Sequence, residues 1–147
     1  MRNGMTYENR VLLILSLTAF LFLIPLPISA QEFEFLNEME LEENILMPEE
    51  LLYRMLSGAS DFVIYDIREK DAFLEAHIRG AENHSWVSGD FVMGFANFPR
   101  DLDIFLVSED GITAFHALRF LLGKGFISVY VMEGGMENWL YRELLVR

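Results

Sequence analysis

One stretch, Asp103 to Gly125, constrains the fold more than any other. Its sequence, DIFLVSEDGITAFHALRFLLGKG, opens on an apolar run, Asp103 to Val107, of the kind that forms a strand buried on both faces. A short polar loop follows, Ser108 to Thr113. Apolar residues then recur at helical spacing from Ala114 to Leu122, and Gly123-Lys124-Gly125 suits the C-cap. A strand that feeds a loop and a helix N-terminus leaves unpaired backbone N–H groups facing the loop, a cradle for negative charge. What the loop supplies here is Ser108, Glu109 and Asp110.

The same alternation repeats around this unit. Met47-Pro48-Glu49-Glu50 reads as a helix start, with proline in the first turn and carboxylates at the positive end of the dipole. Leu51, Leu52, Met55 and Leu56 continue it. Phe62 to Tyr65 reads as a buried strand ending in Asp66-Ile67-Arg68, and a short helix is expected from Lys70 to Ala76. Trp86 to Phe95 is expected to be helical, weakened by Gly89 and Gly94. Val129 to Met132 is a final strand, and Gly134-Gly135 turns the chain into an expected last helix carrying Trp139, Leu140 and Leu144. Short apolar strands alternating with helices predict an α/β fold with a parallel sheet flanked by helices on both faces. Sites in such sheets lie at the C-terminal ends of strands, where Asp66 and Ser108 both fall.

Composition narrows the function. Apolar residues make up 52% of the 147, with 13 phenylalanines, enough for a sizeable core. The formal charge of −12 excludes a phosphate-neutralising nucleic-acid surface and disfavours docking on anionic lipid. It also favours a soluble monomer at neutral pH. The chain has no cysteine, so disulfides, thiolate metal sites and persulfide chemistry are all excluded.

Residues 1–30 stand apart from the fold. Arg2 and Arg10 precede an apolar run from Val11 to Ile24; Pro25 and Pro27 follow, and Ile28-Ser29-Ala30 ends in a small residue. That is the layout of a secretory signal peptide. Residues 11–30 would also span roughly 30 Å as a helix, enough for an uncleaved membrane anchor. Both readings export the domain, to the periplasm or another space outside the cytoplasm, because the arginines stay inside. Residues 31–46 carry six glutamates and no basic residue and read as an acidic linker, with one strand or helical turn laid on the domain. Phe33 and Phe35 could instead anchor a docking segment. The domain itself is expected over residues 47–147.

Four pieces of the domain, in order, resemble the rhodanese-like (sulfurtransferase) family from about Met47 to Trp139. Asp66-Ile67-Arg68 resembles its Asp-x-Arg after the second strand. Phe73, then His77-Ile78-x-Gly80-Ala81-x-Asn83, resembles its central signature. Gly125-Phe126-x-x-Val129-Tyr130 and Glu133-Gly134-Gly135-x-x-x-Trp139 resemble its closing one. In active members a cysteine opens a six-residue loop similar to C-R-S-G-N-R and carries a persulfide. Counting back from Gly125 places that cysteine at Ser108, and the loop reads Ser108-Glu109-Asp110-Gly111-Ile112-Thr113. Length and Gly111 are kept. Serine replaces the nucleophile, and Glu109 and Thr113 replace the loop's two basic residues.

That departure changes the chemistry. A hydroxyl has neither the acidity of a thiol nor a stable counterpart to the persulfide S–S bond. A helix N-terminus favours an anion by about 0.3–1 kcal/mol. A carboxylate about 5 Å away opposes it by roughly 1 to 3 kcal/mol. The resemblance therefore implies an inactive, non-enzymatic homologue serving as a binding or regulatory module, with no cofactor. Ser108 to Thr113 form its candidate recognition surface, for an unknown protein partner of basic character.

Other readings compete. Ser108 as a hydrolase nucleophile needs a base from His77, His84 or His116 and lacks a G-x-S-x-G elbow. A sulfurtransferase-related protein using a partner's cysteine is a further alternative. Glu109 and Asp110 fall short of a metal's oxygen set, so no metal is expected. Asp66 and Arg68 are expected to pair as a structural clamp, with His77 ordering the same turn. Gly80, Asn83, Gly134, Gly135 and Trp139 are expected to be structural, as is Trp86 if buried.

Overall fold

We describe a computed structural model. The structure describes residues 41–147; residues 1–30, expected to serve export, and residues 31–40 of the acidic stretch lie outside the described residues.

The domain is built on a five-stranded, wholly parallel sheet. In chain order its strands are β1 (Ile45–Leu46), β2 (Phe62–Asp66), β4 (Ala81–Asn83), β5 (Asp103–Val107) and β6 (Val129–Met132), arranged β1-β6-β5-β2-β4. A separate antiparallel pair joins β3 (His77–Ile78) to β7 (Leu145–Val146). Among the described residues the helices are α1 (Pro48–Leu56), α2 (Lys70–Glu75), α3 (Asp90–Gly94) and α4 (Ile112–Gly123).

The continuous apolar strands exist because both faces are covered. Side chains alternate along each strand. Tyr65, Ile104, Leu106, Val129 and Val131 face one core, closed by Ala114, Ala117, Leu118 and Leu121 of α4 and Phe91 of α3. Ile64, Phe105, Val107 and Met132 face the other, closed by Leu51 of α1, Ile78 and Trp139. Trp86 packs half-buried against the first core, between Phe91 and Phe120. The α/β fold, with a parallel sheet between helical layers, is thus the one the alternation predicts.

Four boundaries differ from expectation, each for a local reason. The last six residues of the acidic stretch belong to the domain: Glu42–Asn44 form a 3-10 turn, and β1 adds to the sheet edge beside β6. Trp86 to Gly89 is a turn, not helix. Ser85 Oγ accepts the Ser88 amide, Gly89 takes a left-handed φ of 86°, and α3 starts only at Asp90. Helix α4 starts at Ile112, so Ile112 and Thr113 sit in its first turn rather than in the loop. The expected last helix is absent. Gly135–Asn138 and Arg142–Leu144 are single 3-10 turns, and the chain then extends to pair with β3. Leu140 is exposed.

Candidate functional site

The strand order locates the site. From β2 the chain crosses outward to β4; from β5 it crosses the opposite way, to β6, on the side of the sheet where β1 lies. The loops leaving β2 and β5 therefore diverge and leave a crevice between them at the C-terminal ends of two paired strands. Asp66 and Val107 are register partners there, and Ile67 N donates to Val107 O at 2.9 Å.

The β2 side of the crevice is an ionic fork. Asp66 is 1% exposed. Arg68 Nε donates to both of its carboxylate oxygens, at 3.0 and 3.1 Å, and Nη2 donates to Oδ2 at 2.7 Å. The Arg68 amide also donates to Oδ1 at 3.0 Å. Arg68 Nη2 donates to Ala76 O at 2.7 Å, which fixes the end of α2 to the fork. Asn83 Nδ2 donates to Asp66 O and Arg68 O, holding the same turn from β4.

The β5 side is the loop Ser108–Gly111. Ser108 is 2% exposed, and its Oγ accepts the Ala114 amide at 3.3 Å, inside the first turn of α4. Asp110 Oδ1 accepts the Ile112 amide at 2.9 Å, a side-chain turn two residues long that starts the helix. The loop is pinned from below by the turn after β6. Ser108 O accepts Met136 N at 2.9 Å, and Glu109 O accepts Glu137 N at 3.0 Å. The approach is so close that a Cβ on Gly135 would overlap Ser108 O and lie 2.6 Å from Glu109 O. A Cβ on Gly111 would press on Gly134 N at 3.0 Å.

One contact joins the two sides. Arg68 Nη1 donates to Glu109 Oε2 at 3.3 Å. Arg68 is 8% exposed along its side chain and Glu109 60%, so the bridge runs from the floor of the crevice to its rim. Burial opposes the Arg68 charge, but hydrogen bonding and attraction to Asp66, and then to Glu109, more than compensate. Its pKa is raised above the ordinary arginine value.

The predicted residues thus fall into groups. Asp66, Arg68 and Asn83 meet as one network, which reaches the loop only through Glu109. Gly134 and Gly135 sit beneath the loop. Trp139 lies in the second core, with Nε1 donating to Tyr141 O at 3.1 Å. Gly80 is in the exposed turn between β3 and β4. His77 departs from expectation: instead of ordering the Asp66–Arg68 turn, it stacks on Phe73 with ring centroids 3.7 Å apart. Its Nδ1 hydrogen-bonds Phe73 O at 2.9 Å.

No histidine serves Ser108. His84 lies edge-on to Tyr65 and Phe98 with Nε2 3.7 Å from Glu82, and His116 is exposed on α4. Among the described residues no cluster of three or more acidic or histidine side chains could hold a metal ion. The part missed in the sequence is the support: Asp110 as the helix-starting acceptor, and the Met136 and Glu137 amides that hold the loop carbonyls. Aspartate two residues before a helix start was the available signal for the first. The second is a contact between backbones and leaves no side-chain signature.

The comparisons with known proteins agree with this geometry. The rhodanese-like domain family matches residues 48–141. A thiosulfate sulfurtransferase GlpE of Pseudomonas putida (strain GB-1) is 40% identical over 96 residues, 63% of this chain and 80% of that protein. A GlpE of Pseudomonas entomophila is 35% identical over 97 residues, 64% of this chain and 82% of that protein. Among solved structures, a protein from Lactobacillus plantarum superposes with a TM-score of 0.64 at 21% identity, over 80% of this chain and 98% of that one. A rhodanese-like domain protein from Staphylococcus aureus gives 0.59 at 20% identity, over 65% and 90%. At such identities the structural likeness speaks for the fold; the sequence match speaks for the family. With its motifs at the ends of β2 and β5 and no cysteine in its sequence, the chain belongs to the rhodanese-like domain family.

Proposed function

We propose that this protein is an exported rhodanese-like domain that carries no persulfide sulfur and acts as a binding or regulatory module. Its recognition surface is the segment Ser108–Thr113, the loop and the first residues of α4, presented through the exposed Glu109 and Asp110, and its partner is a basic protein. The observation that carries the reading is the state of Ser108. The residue at the nucleophile position is a serine, buried, with its hydroxyl oxygen accepting a helix amide. It has no histidine beside it, and the chain has no thiol to take its place.

Charge supports the partner's class. Glu109 and Asp110 lie exposed on the rim, and Glu133 and Glu137 flank the turn beneath them, also exposed. The nearby cation, Arg68, is committed to Asp66 and Glu109. Complementary charge of this kind steers and orients an encounter. Residues 1–30 support export, through their arginine-flanked apolar run and small residue at position 30.

Activity tests the reading. The full-length protein should form no thiocyanate from thiosulfate and cyanide and hydrolyse no activated ester above a buffer control. Sulfur transfer, or ester turnover lost in Ser108→Ala, would replace the binding module with an enzyme.

A further inference from the structure

A second surface, away from the Ser108 loop, has the chemistry of a site. Between α1 and the edge of the sheet lies an open groove of about 420 Å³. Its wall is one face of α1, Glu49, Glu50 and Tyr53, and its floor is Phe105 and Tyr130, with Leu46 of β1 at the side. The groove exists because α1 turns Leu51, Leu52 and Met55 toward the second core and leaves Tyr130 only partly covered, above the buried Phe105. Phe105 and Tyr130 are register partners on β5 and β6, with ring centroids 5.7 Å apart.

We propose that this groove binds a cationic side chain, a lysine or arginine presented by a peptide segment of a partner. Three observations carry the inference. First, the floor already holds a cation at one end: the Arg54 guanidinium lies 5.6 Å from the centroid of Phe105 and 5.8 Å from that of Phe62, held by Asp103 at 2.7 Å and Asp61 at 3.1 Å. Aromatic faces attract cations through the ring quadrupole. Second, the other end repeats those ingredients without a cation. Tyr130 is half-buried and Tyr53 exposed, and Glu49 and Glu50 have no basic partner among the described residues. Glu49 Oε1 accepts only the Tyr141 hydroxyl, at 3.3 Å, and Glu50 Oε2 the Met47 amide, at 2.8 Å. Third, the volume lies in the range of small-ligand sites, and the lining sets aromatic rings beside the carboxylates of Glu49, Glu50 and Asp103. Arg54 is already neutralised by Asp61 and Asp103, so charge complementarity excludes an anion and selects a cation.

The test uses the full-length ¹⁵N-labelled protein and three capped pentapeptides, Gly-Gly-X-Gly-Gly, with X lysine, arginine or the neutral isostere norleucine. The lysine and arginine peptides should move the amide resonances of Tyr53, Phe105 and Tyr130 saturably. Tyr130→Leu, which keeps an apolar side chain on β6 but removes the ring, and Glu49→Gln should each weaken binding roughly three- to tenfold. The proposal is overturned if no saturable shift occurs, or if norleucine shifts the same resonances equally. It is also overturned if the shifts spread over the acidic surface and ignore both substitutions.

Discussion

Arg68 and Asp66, two residues apart at the end of β2, form a forked pair in which the guanidinium reaches both carboxylate oxygens at 2.7 to 3.1 Å. Both side chains are buried. Removing Arg68 therefore leaves the buried Asp66 carboxylate without a countercharge, and removing Asp66 leaves Arg68 only the rim carboxylate of Glu109. Arg68→Ala is expected to destabilise the domain by about 3–5 kcal/mol in urea unfolding, and Asp66→Ala by a similar amount. The double variant should cost less than the two single losses added together. Additive losses would mean that the two side chains act independently.

Gly135 is expected to be intolerant of a side chain for two reasons. Its φ of 57° lies in the left-handed region, and a Cβ would meet Ser108 O and Glu109 O. Gly135→Ala should cost at least about 2 kcal/mol, the left-handed penalty plus the cost of pushing the loop carbonyls away. The same variant should shift the amide resonances of Met136 and Glu137, which donate to those carbonyls.

Burial pushes the Tyr65 hydroxyl up to about 12, with the nearby Glu82 carboxylate adding to the effect. A raised pKa means that the fold favours the neutral phenol. The stabilisation is complete below the unfolded value near 10 and is lost as pH rises toward 12, a loss of roughly 2 to 3 kcal/mol. Unfolding free energies between pH 9 and 12 should therefore fall more steeply for the wild type than for Tyr65→Phe. Equal slopes would contradict the burial argument.

Thiosulfate and phosphate should leave the melting temperature unchanged. The loop offers no basic residue of its own, Glu109 engages the adjacent arginine, and Asp110 takes the Ile112 amide. A ligand bound with millimolar affinity would add roughly 1.4 kcal/mol at about 10 mM. A shift of that size would mean that the amide cradle outweighs its carboxylates.

The sequence was most legible where one interaction dominates. Asp103–Val107 and Val129–Met132 are strands over the expected residues because only a buried parallel strand suits such continuous apolar runs. The end of α1 at Leu56 followed from the apolar spacing of Leu51, Leu52, Met55 and Leu56. Legibility failed where long-range contacts compete with spacing. Trp139 and Leu144 fit a helical face, but the Trp139 indole donates to Tyr141 O, and Leu145–Val146 gain backbone partners on β3. Ser85 and Ser88 turned Trp86 to Gly89 away from helix with hydrogen bonds that no periodicity records. At the site, Asp66 and Arg68 pair at the end of β2, and Ser108 follows the end of β5. His77 differs from the expectation because its ring stacks on Phe73, four residues back, and takes Phe73 O as its partner rather than the Asp66–Arg68 turn.

The central claim is that the Ser108–Thr113 loop reads a basic partner, and paired capture tests it most directly. The full-length protein and its Glu109→Ala, Asp110→Ala double variant are immobilised side by side and exposed to an envelope extract of the source organism. Bound proteins are identified by mass spectrometry across a salt gradient. The account predicts a basic protein held by the wild type, released as salt rises, and absent from the double variant. A partner held equally by both, or none held by the wild type, would contradict it.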